Sequence, residues 1–142
     1  MSAALFAAQA RRWIGTPYVH QASEMNAGCD CLGLLRGVWR DVYGHSPEVP
    51  PAYAPTWSEV SGDEVLWNAL LRHFAPSETG VVLLFRMHSN AAAKHVGILS
   101  ACGENSTFIH SYQHHGVVES PLSTPWKRRI VARFDVPVFG EL

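Results

Sequence analysis

The hydrophobic period changes once along this chain, near Gly80, and that change restricts the fold more than any other feature. Before it, apolar residues recur at helical spacing. Phe6, Ala10 and Trp13 mark a first helix over residues 3–14, closed by Gly15 and Pro17. Cys31, Leu35, Val38 and Val42 fall on one face of a second helix, which Gly44 and Pro47 stop. Ser61-Gly62-Asp63-Glu64 has the form of a capping box, and Val65, Leu66, Ala69, Leu70, His73 and Phe74 follow on the stripe of a third helix. After Gly80 the runs are short and β-rich, at residues 80–87, 95–100, 107–112, 116–119 and 129–136, with turn residues between them. Helices first and strands second predict an α+β fold, its N-terminal helices packed on an antiparallel sheet of about five strands, rather than alternating βα units.

The 142 residues fit one domain, 1–142, able to bury roughly two-thirds of its surface without metals or crosslinks. A formal charge of -1 leaves no footprint for nucleic acid, and Lys127-Arg128-Arg129 reads as a solvated turn. The 3 cysteines, two of them one residue apart, do not make a disulfide framework. The Ala-rich start has its arginines after the apolar run and no small-residue cleavage site, so the expectation is synthesis in the cytoplasm without a secretory signal. No apolar run approaches the roughly 20 residues of a membrane span, so membrane insertion is not expected. A substrate outside the cytoplasm would then require another carrier. Residues 18–28 show no period and read as an irregular lead-in, and residues 46–55, with prolines at 47, 50, 51 and 55, read as an extended surface connection.

The chemistry centres on Gly28-Cys29-Asp30-Cys31-Leu32-Gly33-Leu34. Asp30 suits the N-cap of the second helix and delivers Cys31 onto its first turn, where the helix dipole is expected to lower the thiol pKa below about 8.5. A cysteine nucleophile needs a base. Two of the 8 histidines stand on predicted strands, His95 and His110. A four-residue hairpin loop over 101–104 would put His95 directly opposite His110, with Cβ atoms about 5 Å apart, close enough for one ring to take the thiol proton while the other fixes its tautomer. His114 and His115 read as solvated turn residues and Cys102 as incidental. Zinc at Cys29 and Cys31 is not expected, because C-x-C lacks the usual ligand gap; no metal or other cofactor is implied.

With these residues placed, Gly15-Thr16-Pro17-Tyr18, Asp30-Cys31-Leu32-Gly33-Leu34, His95-Val96-Gly97-Ile98 and Phe108-Ile109-His110 resemble, in order, the G-x-P-Y, D-C-x-G, H-V-G-I and f-I-H blocks of the NlpC/p60 cell-wall peptidases. The H-Q-A-S segment and the C-D-C-L-G-L core look most like the branch found with phage tails and gene transfer agents. The resemblance implies a papain-like α+β fold and a thiol protease that hydrolyses peptidoglycan stem peptides, commonly between D-γ-glutamate and a diamino acid. It carries the nucleophile onto Cys31, the general base onto His95 and the base-orienting residue onto His110, the three the residues themselves select. It also implies Tyr18 at the oxyanion or substrate, and Asp30 at a substrate amine as well as at the helix cap. It further implies tail proteins as partners, and action in the periplasm or cell wall after delivery by a tail-like particle. Two departures bear on substrate preference: Leu32 stands where the family usually has serine, and Gly80-Val81-Val82 lacks the family's acid before the base strand. The rival readings are a non-catalytic tail-tip adaptor or peptidoglycan-binding protein, and an acyl- or amide-transferring enzyme on the same fold.

Overall fold

The structure, a computed structural model, describes residues 2–46 and 64–138. Helix α1 (Ser2–Arg11) ends three residues before the expected Ile14, because the chain tightens there into i to i+3 bonds, Trp13 N–H to Ala10 and Ile14 N–H to Arg11. Gly15 at φ 95 then turns it out of the helix. Phe6, Ala10 and Trp13 are all buried despite the change of conformation. The lead-in contains a small antiparallel ribbon, β1 (Ser23–Glu24) and β2 (Gly28–Cys29), with Ser23 opposite Cys29. Tyr18 bridges Cys29 in parallel from the other side, so the segment has more order than its lack of period foretells.

Helix α2 (Cys31–Tyr43) has the expected bounds. The Asp30 carboxylate accepts the Gly33 N–H at 2.7 Å, and Gly44 closes the far end at φ 87. Its inner face buries Leu34, Leu35, Val38 and Trp39. Helix α3 (Val65–His73) buries Leu66 and Leu70. The first three residues of the expected capping box, like the proline-rich connection from Pro47 onward, lie outside the described residues. Glu64, the N-cap position of α3, turns its carboxylate away from the helix, to the Ala93 N–H at 2.8 Å and the Arg86 guanidinium at 2.8 Å.

The sheet has six antiparallel strands rather than five, ordered β3-β8-β4-β5-β6-β7. They are β3 (Ala75–Pro76), β4 (Val82–Phe85), β5 (His95–Ala101), β6 (Thr107–Tyr112), β7 (Gly116–Pro121) and β8 (Ile130–Asp135). The extra strand is the short β3, paired to β8. Lys127 to Arg129 do not form a turn but end a short helix, α4 (Thr124–Arg129), started by a proline. One face of the sheet, with Val82, Leu84, Val96, Ile98, Ile109 and Phe134, packs on α1 and α2. The other face, with Leu83, Phe85, Leu99 and Phe108, lies under Leu122 and Trp126. Strand β4 is therefore covered on both sides, and all four of its residues are buried, which accounts for its unbroken apolar run.

The β5–β6 hairpin differs from its expected register. Ile98 lies opposite Ile109, two residues beyond the predicted Thr107, because the connection runs over residues 102–106 and a bulge falls between Leu99 and Ala101. A slip of one residue would turn the histidines to opposite faces; a shift of two does not. His95 and His110 thus share a face as diagonal neighbours, and it is Gly97 that stands beside His110, where an added Cβ would lie 3.4 Å from the His110 Cβ.

Candidate active site

Cys31 is the first residue of α2, and its sulfur faces the start of β5. The thiol donates to the Lys94 carbonyl at 3.6 Å, while the backbone N–H groups of Val96 and Leu32 point at the sulfur. The half-buried thiol lies in a cleft of about 220 Å³, whose wall includes Tyr18, His20, Asp30, Leu32, Lys94 and His95. Its ionisation is opposite to the expectation from the helix dipole. Burial, then the neighbouring Asp30 carboxylate, push the thiol up to about 12, against the two N–H groups that pull it down. The reason is local: burial disfavours the charged sulfur, and against the roughly half a charge that the dipole offers at a helix N-terminus stands the Asp30 carboxylate that caps that end. At rest Cys31 is a neutral thiol.

The two histidines meet as expected, by a different pairing. His95 Nε2 lies 2.8 Å from His110 Nδ1. His110 Nε2 in turn lies 2.9 Å from the Ser120 hydroxyl, a partner the sequence reading missed. Its signal is present in the alternation: Val118 stands opposite His110, so Ser120, two residues on, shares the face of His110 and occupies the next diagonal. His95, His110 and Ser120 therefore form a line that crosses β5, β6 and β7 obliquely.

Aromatic rings enclose that line. Trp126 of α4 meets His110 edge-on at 5.2 Å, and Phe85, Phe108 and Tyr112 pack around the two imidazoles. Trp126 was not foreseen either, since it sits in a segment read as a turn. Burial lowers His95 to about 3, helped by His110 and Lys94, and lowers His110 to about 4, helped by His115. Both rings are neutral at neutral pH.

Tyr18 stands half-buried on the cleft wall, its hydroxyl pushed up to about 12 by burial and then by Cys31, which places it near the sulfur. Asp30 also borders the cleft, but one carboxylate oxygen takes the Gly33 N–H and the other the Gln21 N–H at 2.8 Å, with His20 Nδ1 3.8 Å away. Its first work is to hold the lead-in on the helix cap. Cys29 is wholly buried in the core, its thiol raised to about 11 by burial, and Cys102 is exposed. His114 and His115 are exposed; His115 stacks on Tyr112 at 5.3 Å and His114 takes a left-handed φ of 74. Among the described residues no group of three or more metal-ligating side chains comes together, and no helix is long and apolar enough to cross a membrane.

With its helices packed on a six-stranded antiparallel sheet, the fold of this chain is an NlpC/p60 fold. Among solved structures it is similar to the NlpC/p60 domain of peptidoglycan hydrolase SagA, at TM-score 0.55 and 21% identity, with 96% of this chain and 98% of that one covered. It is also similar to an NLP/P60-family protein of Staphylococcus aureus described as similar to lipoprotein, at TM-score 0.59 and 18% identity, with 96% of this chain aligned to 42% of that one. No family model and no curated protein matches the chain.

Proposed function

We propose that the protein is a cysteine endopeptidase that hydrolyses peptide bonds in bacterial peptidoglycan stem peptides, with the D-γ-glutamyl–diamino acid bond as its target. The observation that carries this reading is the convergence of Cys31 and His95 on one cleft, with the buried His110 hydrogen-bonded behind His95. The Cys31 sulfur attacks the stem-peptide carbonyl as its proton passes to His95, so that no standing thiolate is needed. Charge building on the sulfur is met by the N–H groups of Val96 and Leu32. The oxyanion is assigned to the Cys31 N–H, the first-turn donor that neither Asp30 nor the sulfur takes, together with the Tyr18 hydroxyl. His95 then protonates the leaving amine, and water hydrolyses the thioester to release the acid and restore the thiol.

The order of the four sequence blocks supports the same reading, as does a fold shared with a domain described as part of a peptidoglycan hydrolase. The H-Q-A-S and C-D-C-L-G-L segments support delivery to the periplasm or cell wall by a phage-tail or gene-transfer-agent particle, with tail proteins as partners. With Leu32 in place of serine, the cleft lacks the hydroxyl that the resemblance assigns to a free peptide amine, which favours stems whose amino end is already acylated.

The test is mass spectrometry of purified muropeptides, of both diaminopimelate and lysine types, incubated with wild-type protein and with Cys31→Ala. Stem fragments whose summed mass exceeds the substrate by one water, formed by wild type alone, are expected and also identify the bond. Equal cleavage by Cys31→Ala ends the mechanism. No cleavage by either protein on either stem transfers the assignment to a non-catalytic tail-tip adaptor, and fragments joined to an added amine instead of water to an acyl-transferring enzyme.

A further inference from the structure

We propose that Ser120 is a positioning residue that sets the tautomers of both histidines, keeping the N–H of each ring on Nε2 and leaving Nδ1 as a bare lone pair on His95, the ring that borders the Cys31 cleft. The inference rests on the endopeptidase reading for its consequence in hydrolysis, but the tautomers themselves are a property of the free protein.

A neutral imidazole has one N–H and one lone pair, so the string from Ser120 Oγ through His110 to His95 has two polarities. In the first, Ser120 donates its hydroxyl proton to His110 Nε2, His110 Nδ1–H donates to His95 Nε2, and the remaining proton of His95 sits on Nδ1. That polarity leaves the Nδ1–H of His95 outside the string with no acceptor from it, and leaves His95 no free lone pair to act as a base in the cleft. In the second, His110 Nε2–H donates to the Ser120 oxygen at 2.9 Å, and His95 Nε2–H donates to His110 Nδ1 at 2.8 Å. Both imidazole N–H groups then have strong acceptors, and the one group without a partner in the string is a lone pair. Orphaned buried N–H groups are tolerated less well than under-used acceptors, so the second polarity is favoured. Ser120 makes it available because its side chain is only partly buried: the hydroxyl proton has an outlet to water while its oxygen accepts from His110. The aromatic box of Phe85, Phe108 and Trp126 offers the His110 Nε2–H no comparable acceptor.

Loss of the hydroxyl orphans that N–H. The less costly response is for both rings to change tautomer, which shifts the His95 proton to Nδ1 and removes the base without moving either ring. Long-range 1H–15N NMR of the imidazoles at neutral pH reads this directly. Wild type and Ser120→Thr are expected with Nε2–H on His95 and His110, and Ser120→Ala with Nδ1–H on both. Nδ1–H in wild type, or unchanged tautomers in Ser120→Ala, overturns the proposal. The wild-type spectrum decides alone should Ser120→Ala not fold. In the muropeptide assay Ser120→Ala should lose at least about tenfold in kcat with KM kept, and Ser120→Thr should restore it; a wild-type kcat in Ser120→Ala also overturns it. A protein that cleaves no muropeptide still shows its tautomers, so the two readings fail separately.

Discussion

Asp30 and Cys31 are neighbours in the chain and opposed in effect. The helix that Asp30 caps would by itself favour a thiolate at its first residue, yet burial of the sulfur outweighs that preference and the carboxylate of the cap adds to the shift. Motif and spacing single out Cys31, His95 and His110 because the proposed nucleophile, base and orienting group leave a pattern in residue types. They could not give the charge on the thiol, which depends on how deeply the sulfur sits and which carboxylate faces it. The consequence is measurable by alkylation. With the thiol raised to about 12, the iodoacetamide rate of Cys31 should be low at pH 7 and climb through pH 10 without a plateau. Peptide mapping is needed, since exposed Cys102 is labelled in parallel while buried Cys29 is not. A rate already at its maximum at pH 6 would show a resting thiolate–imidazolium pair instead.

At the scale of elements, faces were legible and partners were not. Alternation on β5 and β6 fixes which face each histidine takes, but the opposite residue depends on a bulge and a five-residue connection that no period reveals, and the two-residue shift was therefore invisible. Glu64 shows the same limit: its place in an S-x-x-E string marks a helix start, whereas its carboxylate is drawn to Arg86 and the Ala93 N–H on the rim that leads to His95. Gly33 shows how close packing overrules propensity. Alanine in place of a helical glycine normally adds about 1 kcal/mol. At Gly33, however, a Cβ collides with the carbonyl of Ala22 and comes within 3.0 Å of the Asp30 carboxylate, the two groups that hold the lead-in on α2. The first is backbone and cannot swing away, and the second is tied by its bonds to the Gly33 and Gln21 N–H groups. Gly33→Ala is therefore expected to lower the thermal midpoint rather than raise it, and to weaken the Asp30 cap; a higher midpoint by calorimetry would mean that the lead-in yields at no penalty.

For the molecule as a whole, the single change of period was enough to assign helices to one layer and strands to the other, since each pattern has only one way to bury its apolar side. It did not show that the sheet is covered twice. The second cover is the short α4 with Trp126, over a cluster of Phe85 and Phe108, and it is this lid that shields His95 and His110 from water. The shielding links the site to global stability. Both histidines are lowered on folding, from about 6.5 to about 3 and about 4, so the unfolded chain takes up protons in acid before the native protein does. Their contribution is complete above pH 6.5 and is lost as the pH falls toward 4 and then 3, at about 1.4 kcal/mol per pH unit for each ring. Urea unfolding between pH 7 and pH 4 measures this, and His110→Gln isolates it from the carboxylates, because one of the two protons is then absent from the linkage. The wild-type stability should fall more steeply with acid than that of His110→Gln; parallel slopes would mean that the rings are solvated in the native protein and that the aromatic cover does not set their charge.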